Sequence, residues 1–129
     1  MDIAKAYPAA ARIVAWNRSI MADRSGRVVI TDSCQADGTF DSLSQSIMTV
    51  AAVDISEPGL IKFTTDRGSM VEMRYDARVW MAGKEEISLT TPEEEGLKES
   101  WRHRTITRIR LDLKRPVRAA VFQYTIVAK

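Results

Sequence analysis

Arg102, Arg104, Arg108 and Arg110 all fall on even positions of one stretch. A guanidinium is a planar fork of donors that can meet a carboxylate or sulfate through two bonds at once. In an extended chain these four side chains share a face, with residues two apart separated by about 6.6–6.8 Å. Such a row could hold an acidic polysaccharide. The preferred reading is a cross-strand lattice with Glu85, Glu86 and Glu72 of neighbouring strands. Trp101, beside the row, could stack on a sugar ring. Large aromatics in a small β domain more often fill the core, and Trp16, set among apolar residues, reads that way.

Other chemistries are poorly supplied. His103 is the only histidine and Cys34 the only cysteine, so the usual zinc ligands are nearly missing. Glu93-Glu94-Glu95 lacks the alternating ligand spacing of a calcium loop and reads as a solvated run. The six glycines are isolated turn residues, with no phosphate-cradling loop among them. The basic row has no interleaved aromatics, so a nucleic-acid partner is not expected. No cofactor and no metal are expected.

The elements that must position these groups are strands. From Arg104 to Leu113, Thr107, Ile109, Leu111 and Leu113 point one way and the basic residues the other, with Ile106 as the exception. Lys114-Arg115-Pro116 breaks the pattern, and Val117–Val127 resumes it, so the two are expected to pair around a proline turn. Upstream, Arg12–Asp23 and Arg27–Asp32 read as a hairpin, with Cys34–Asp41 as a loop around Asp37-Gly38. Ser42–Ile55 reads as one strand, with a helix as the alternative. Leu60–Thr65 and Met70–Tyr75 form the clearest hairpin. Val79–Met81 and Glu85–Thr91 are short strand candidates, and Pro92 after Thr91 suggests one helical turn. Met1–Ala11 could start a short helix, which Pro8 limits.

Short strands separated by turns every 8–12 residues or so predict an all-β domain. The expected architecture is an antiparallel two-sheet β-sandwich, jelly-roll-like, of roughly eight to ten strands. Its predicted core holds Trp16, Val28, Ile30, Ile61, Phe63, Val71, Met73, Ile109, Leu111, Val121 and Ile126. The chain has 129 residues, which suits a single domain with a real core. Its net charge is only +2, but the distribution is uneven. Ser100–Lys129 holds six Arg and two Lys against one Asp, a net of +7, leaving −5 on the remainder. That asymmetry can steer an acidic partner or be spent on ion pairs within the fold. There is no apolar run of membrane-spanning length, so no membrane partner is expected, and the first residues do not resemble a signal peptide.

Ala6-Tyr-Pro-Ala-Ala-Ala11, Trp16-Asn-Arg18, Arg27-Val-Val-Ile-Thr-Asp32, Gly96-Leu-Lys-Glu-Ser-Trp101 and Arg108-Ile-Arg-Leu111 follow one another in this order. Together they resemble the carboxy-terminal β-sandwich of the heparinase II/III-like polysaccharide lyases. The resemblance spans nearly the whole chain. It implies a multidomain parent that cleaves acidic polysaccharides by β-elimination, in the periplasm or outside the cell. The helical repeats of that family's α/α toroid have no counterpart here. The resemblance then implies a fragment, or a stand-alone relative, of the non-toroid part, partnered by catalytic domains of the same polypeptide or complex, and compatible with a homo-oligomer.

β-Elimination needs a group to neutralise the uronate, a base for the C5 proton and an acid for the leaving oxygen. Tyrosine and histidine commonly fill the last two roles. His103 and Tyr124 could approach each other if the final strands pair, but the sequence offers no surrounding constellation, and no catalytic residue is assigned. The expected function is a non-catalytic accessory domain of such a lyase. The alternative is a carbohydrate-binding module using the arginine-lined sheet face. An independent enzyme is the remaining possibility.

Overall fold

The computed structural model describes residues 1–102 and 105–129. Nine strands among them make two antiparallel sheets. They are β1 (Ile13–Ala22), β2 (Arg27–Phe40), β3 (Ser44–Thr49), β4 (Ala52–Asp54), β5 (Leu60–Thr64), β6 (Met70–Arg74), β7 (Trp80–Ile87), β8 (Ile106–Leu113) and β9 (Val117–Ala128). The larger sheet has the order β1-β2-β9-β6-β5-β4 and the smaller β3-β8-β7. Two 3-10 turns, Ala4–Ala6 and Ala9–Ala11, flank Pro8. One short helix, α1 (Glu95–Ser100), precedes β8. No helix is long and apolar enough to cross a membrane, among the described residues.

Alternation dictates the layering. On β9 the even residues Phe122, Tyr124 and Ile126 face inward, matched across the ladder by Asp32, Ile30 and Val28 of β2. On β8 the odd residues Ile109 and Leu111 face inward and are fully buried. Trp80 of the small sheet meets Phe122 of the large one at a ring-centroid distance of 4.6 Å, and Tyr124 at 6.5 Å. This aromatic contact holds the two faces together at separations favourable for ring pairs.

Several expectations from the sequence need correction. The last two strands do not pair with each other. β8 lies between β3 and β7, and β9 lies between β2 and β6. The Pro116 segment therefore crosses from one sheet to the other, and both strands turn their apolar residues toward the same core. Ser42–Ile55 is two strands in different sheets, β3 and β4. The chain turns at Val50–Ala51, where the Ala51 amide donates to Thr49 Oγ1 at 3.0 Å. Cys34–Asp41 is mostly strand: β2 runs on to Phe40 through an irregularity after Gln35, eased by Gly38 at φ +103°. Trp80 and Met81 of the first candidate and Glu85–Ile87 of the second belong to the single strand β7, and Ser88–Thr91 lie outside any strand. Val121 is 69% exposed and not core. Its odd number puts it opposite to Phe122 and Ile126 by the period of two. The other predicted core residues are buried or half-buried.

Candidate functional site

The arginine row is shorter than its spacing suggests. α1 ends at Ser100 with Trp101 as its cap, and Arg102 follows in the left-handed region at φ 54°, its amide donating to Glu99 O at 2.9 Å. Arg102 thus closes a helix, as residues just past a helix end often do, and does not belong to a strand face. Arg104, like His103, lies outside the described residues. Arg108 and Arg110 do sit on the outer face of β8. Each is already matched with a carboxylate: Arg108 Nε donates to Glu85 Oε1 at 2.6 Å, and Arg110 to Asp112 Oδ1 at 2.8 Å. Asp112 also accepts from Ser44 Oγ. Glu85 lies directly across the ladder from Arg108. Glu72 is on the other sheet, where it meets Arg74 and Lys129 instead. Trp101 is half-buried at the helix end, whereas Trp16 and Trp80 are core.

A different constellation lies between the sheets. Asp32 occupies an inward position of β2 and is 0% exposed. Arg18, its ladder partner on β1, reaches it with two bonds, Nε–Oδ1 at 2.6 Å and Nη2–Oδ2 at 2.7 Å. This bidentate geometry is the strong form of the contact. It raises the Arg18 pKa further and keeps the guanidinium charged. Gln45 of β3 adds a longer contact from its amide nitrogen to Asp32 Oδ2 at 3.4 Å. Tyr124 stands beside this group. Its hydroxyl is buried without a hydrogen-bond partner among the described residues, as is the Trp16 indole nitrogen. Burial, helped by the negative charge of Asp32, pushes the Tyr124 pKa well up, so the phenol stays protonated.

Arg18, Gln45 and Tyr124 border a cleft of about 240 Å³ whose remaining walls are Ile30, Ser46, Ile47, Phe63, Met73 and Ile126. A mostly apolar hollow with a few convergent polar groups has the general form of a small-molecule site. The sequence carried a signal for it. Val28, Ile30, Asp32 and Cys34 share one phase of β2, and a carboxylate in an apolar phase must find a partner. Finding that partner required the β1–β2 register, which places Arg18 opposite. Among the described residues no group of three or more potential metal ligands occurs.

The other face of the large sheet is unusual in composition. Ala15, Asn17, Ser19 and Met21 of β1 point outward, beside Val29, Thr31, Ser33 and Gln35 of β2. Ala119, Val121, Gln123 and Thr125 of β9 continue the face. None of these carries a charge, although 28% of the chain is charged; Arg27, at the start of β2 and in the same phase, is the charged border of the face. Charge resumes on the next strand, with Glu72 and Arg74 of β6. The face is a shallow hollow at its Ala15, Ser33 and Val121 end. No protein-family profile matches the chain, and no curated protein matches it in sequence.

Proposed function

We propose that this chain is a non-catalytic accessory domain of a heparinase II/III-like polysaccharide lyase, whose catalytic domains act on acidic polysaccharides by β-elimination in the periplasm or outside the cell. The observation that carries the reading is the outer face of β1, β2 and β9, uncharged except for Arg27 at its border. A sheet face exposed to water in a charge-rich protein ordinarily carries lysine and glutamate, and depletion of charge is the compositional mark of an interface centre. The occupant of this face is a catalytic domain of the same polypeptide or complex. Support also comes from the chemistry: the arginines of β8 are matched to carboxylates and so offer little to a uronate. The inter-sheet group of Arg18, Asp32 and Tyr124 is built for holding a buried charge pair.

The test uses the α/α toroid of such a lyase. Adding this chain is expected to raise the toroid's melting temperature. Val121→Lys, which places a charge in the hollow of the face, is expected to abolish the rise while changing the chain's own stability by no more than about 0.5 kcal/mol. Alone on uronic acid polymers, the chain is expected to give no ultraviolet-absorbing unsaturated product. Such a product, or an unchanged toroid, would refute the proposal.

A further inference from the structure

We propose that the free edge of β3 takes up an extended polypeptide segment of a partner as a fourth strand of the small sheet, with apolar side chains at alternate positions turned into the cleft. The edge belongs to the small sheet, so the proposal does not rest on the docking face of the large one. Leu113 donates its amide to the Leu43 carbonyl at 2.9 Å. In an antiparallel ladder such bonded positions recur every second residue. Gln45, Ile47 and Thr49 therefore bond to β8, while Ser44, Ser46 and Met48 turn their N–H and C=O groups away from it. These three residues are exposed. The two sheets end in four strand edges among the described residues, and the other three are blunted by known devices. β1 is partly covered by the bridge of Asp2 to Asn17, β4 has three residues, and β7 carries Lys84, Glu85 and Glu86. β3 has six residues, with no charge and no proline.

What lies beneath the edge selects the occupant. Gln45 reaches Asp32, while Ile47 shares the cleft with Phe63 and Met73, so β3 runs obliquely across the large sheet. Three strands do not cover six, and a corner of the large sheet's inner face is left partly open beyond β3. Ile20, Ala22, Val28, Val71 and Ile126 occupy it, in the inward phase of their strands. Ile20 is 63% exposed. A backbone laid along β3 satisfies the open amides and carbonyls, and every second side chain then falls on this corner. Corner and edge are uncharged, and Arg18 and Asp32 at the end of the cleft cancel each other. A charge at an inward position of the segment would be buried unpaired. Its inward side chains are therefore apolar, and the cleft of about 240 Å³ receives them. A second copy of the chain does not fit, because pairing β3 with β3 would bring its own six-stranded sheet into the space this corner fills.

The probe is a capped peptide of alternating valine and threonine, as long as β3, with a lysine at each end for solubility. Bound with its valines inward, it is expected to shift the methyl resonances of Ile20, Val28 and Ile126 saturably and to slow amide exchange at Ser44, Ser46 and Met48. Residues bonded across a ladder share a face, so the threonine amides point at β3 and the valine amides away from it. N-methylation of the threonines should weaken binding about tenfold or more, and N-methylation of the valines should leave it nearly unchanged. Ser46→Pro removes an amide that the β8 ladder does not use, so it should keep the fold and abolish binding. Ile20→Lys should weaken binding several-fold. Failure of the peptide to saturate these methyls overturns the proposal, as do N-methylated peptides that bind alike. So does a chain that sediments alone as a dimer and is dissociated by Ser46→Pro, because a second copy then closes the edge.

Discussion

The buried pair of Arg18 and Asp32 concentrates the electrostatic stakes at the residue scale. Arg18 keeps about a third of its side chain in contact with solvent, whereas Asp32 has none. Removing the arginine leaves a carboxylate inside the sandwich with only the long Gln45 contact. Arg18→Ala is therefore expected to cost about 3 kcal/mol or more of unfolding free energy in urea titrations. The double change Arg18→Met with Asp32→Leu should recover most of that loss, because the desolvation of both charges disappears together. The exposed pairs, such as Arg78 with Asp76, contribute far less, since water screens them and mobile side chains must be ordered.

Turns and register decide matters at the scale of elements. Gly59 enters β5 at φ +86°, and a Cβ there would lie 3.2 Å from the Tyr75 carbonyl oxygen. Gly59→Ala is expected to lower stability by about 1–2 kcal/mol, through the left-handed backbone and the close approach combined. Circular dichroism melts would register it. Gly26, at φ +81° in the β1–β2 turn, has open space around its Cβ position, so only the conformational part applies there. The N-terminal segment matters for a different reason. Asp2 bridges to Asn17, and the amides of Ile3 and Arg18 bond to Trp16 and Met1 carbonyls, which covers part of the exposed β1 edge.

The pH response belongs to the whole molecule. Asp23 is held at about 2, first by the Ser25 hydroxyl and then by backbone amides of the turn. Asp54, Asp76, Glu94 and Asp112 are also lowered, chiefly by hydrogen bonds from nearby hydroxyl, guanidinium or amide groups. Folded values below unfolded ones mean stability that is present above the unfolded pKa and lost as pH falls. The acid limb should run from about pH 5 down through pH 2. Tyr124 works in the opposite direction: its folded pKa is raised by burial, so its contribution is complete below the ordinary tyrosine value near 10 and declines above it. Cys34, also raised by burial, adds to the alkaline limb. Melting temperature against pH is expected to fall at both ends, and Tyr124→Phe should flatten the alkaline limb alone.

The residue pattern by itself determined that this is an antiparallel β protein with Trp16, Ile61, Ile109 and Leu111 in its core, because a period of two and turn chemistry are local properties. The Leu60–Thr64 and Met70–Arg74 hairpin was legible for the same reason. Strict parity would also have excluded Val121 once Ile126 was placed inside. Tertiary structure alone decided that β8 and β9 belong to different sheets, since a proline turn and a crossover between layers look identical in sequence. It also decided that Arg102 closes a helix, and that Arg18 answers Asp32. Those outcomes depend on which strand lies beside which, and pairing partners far apart in the chain are chosen by the burial of whole faces rather than by any short stretch of residues.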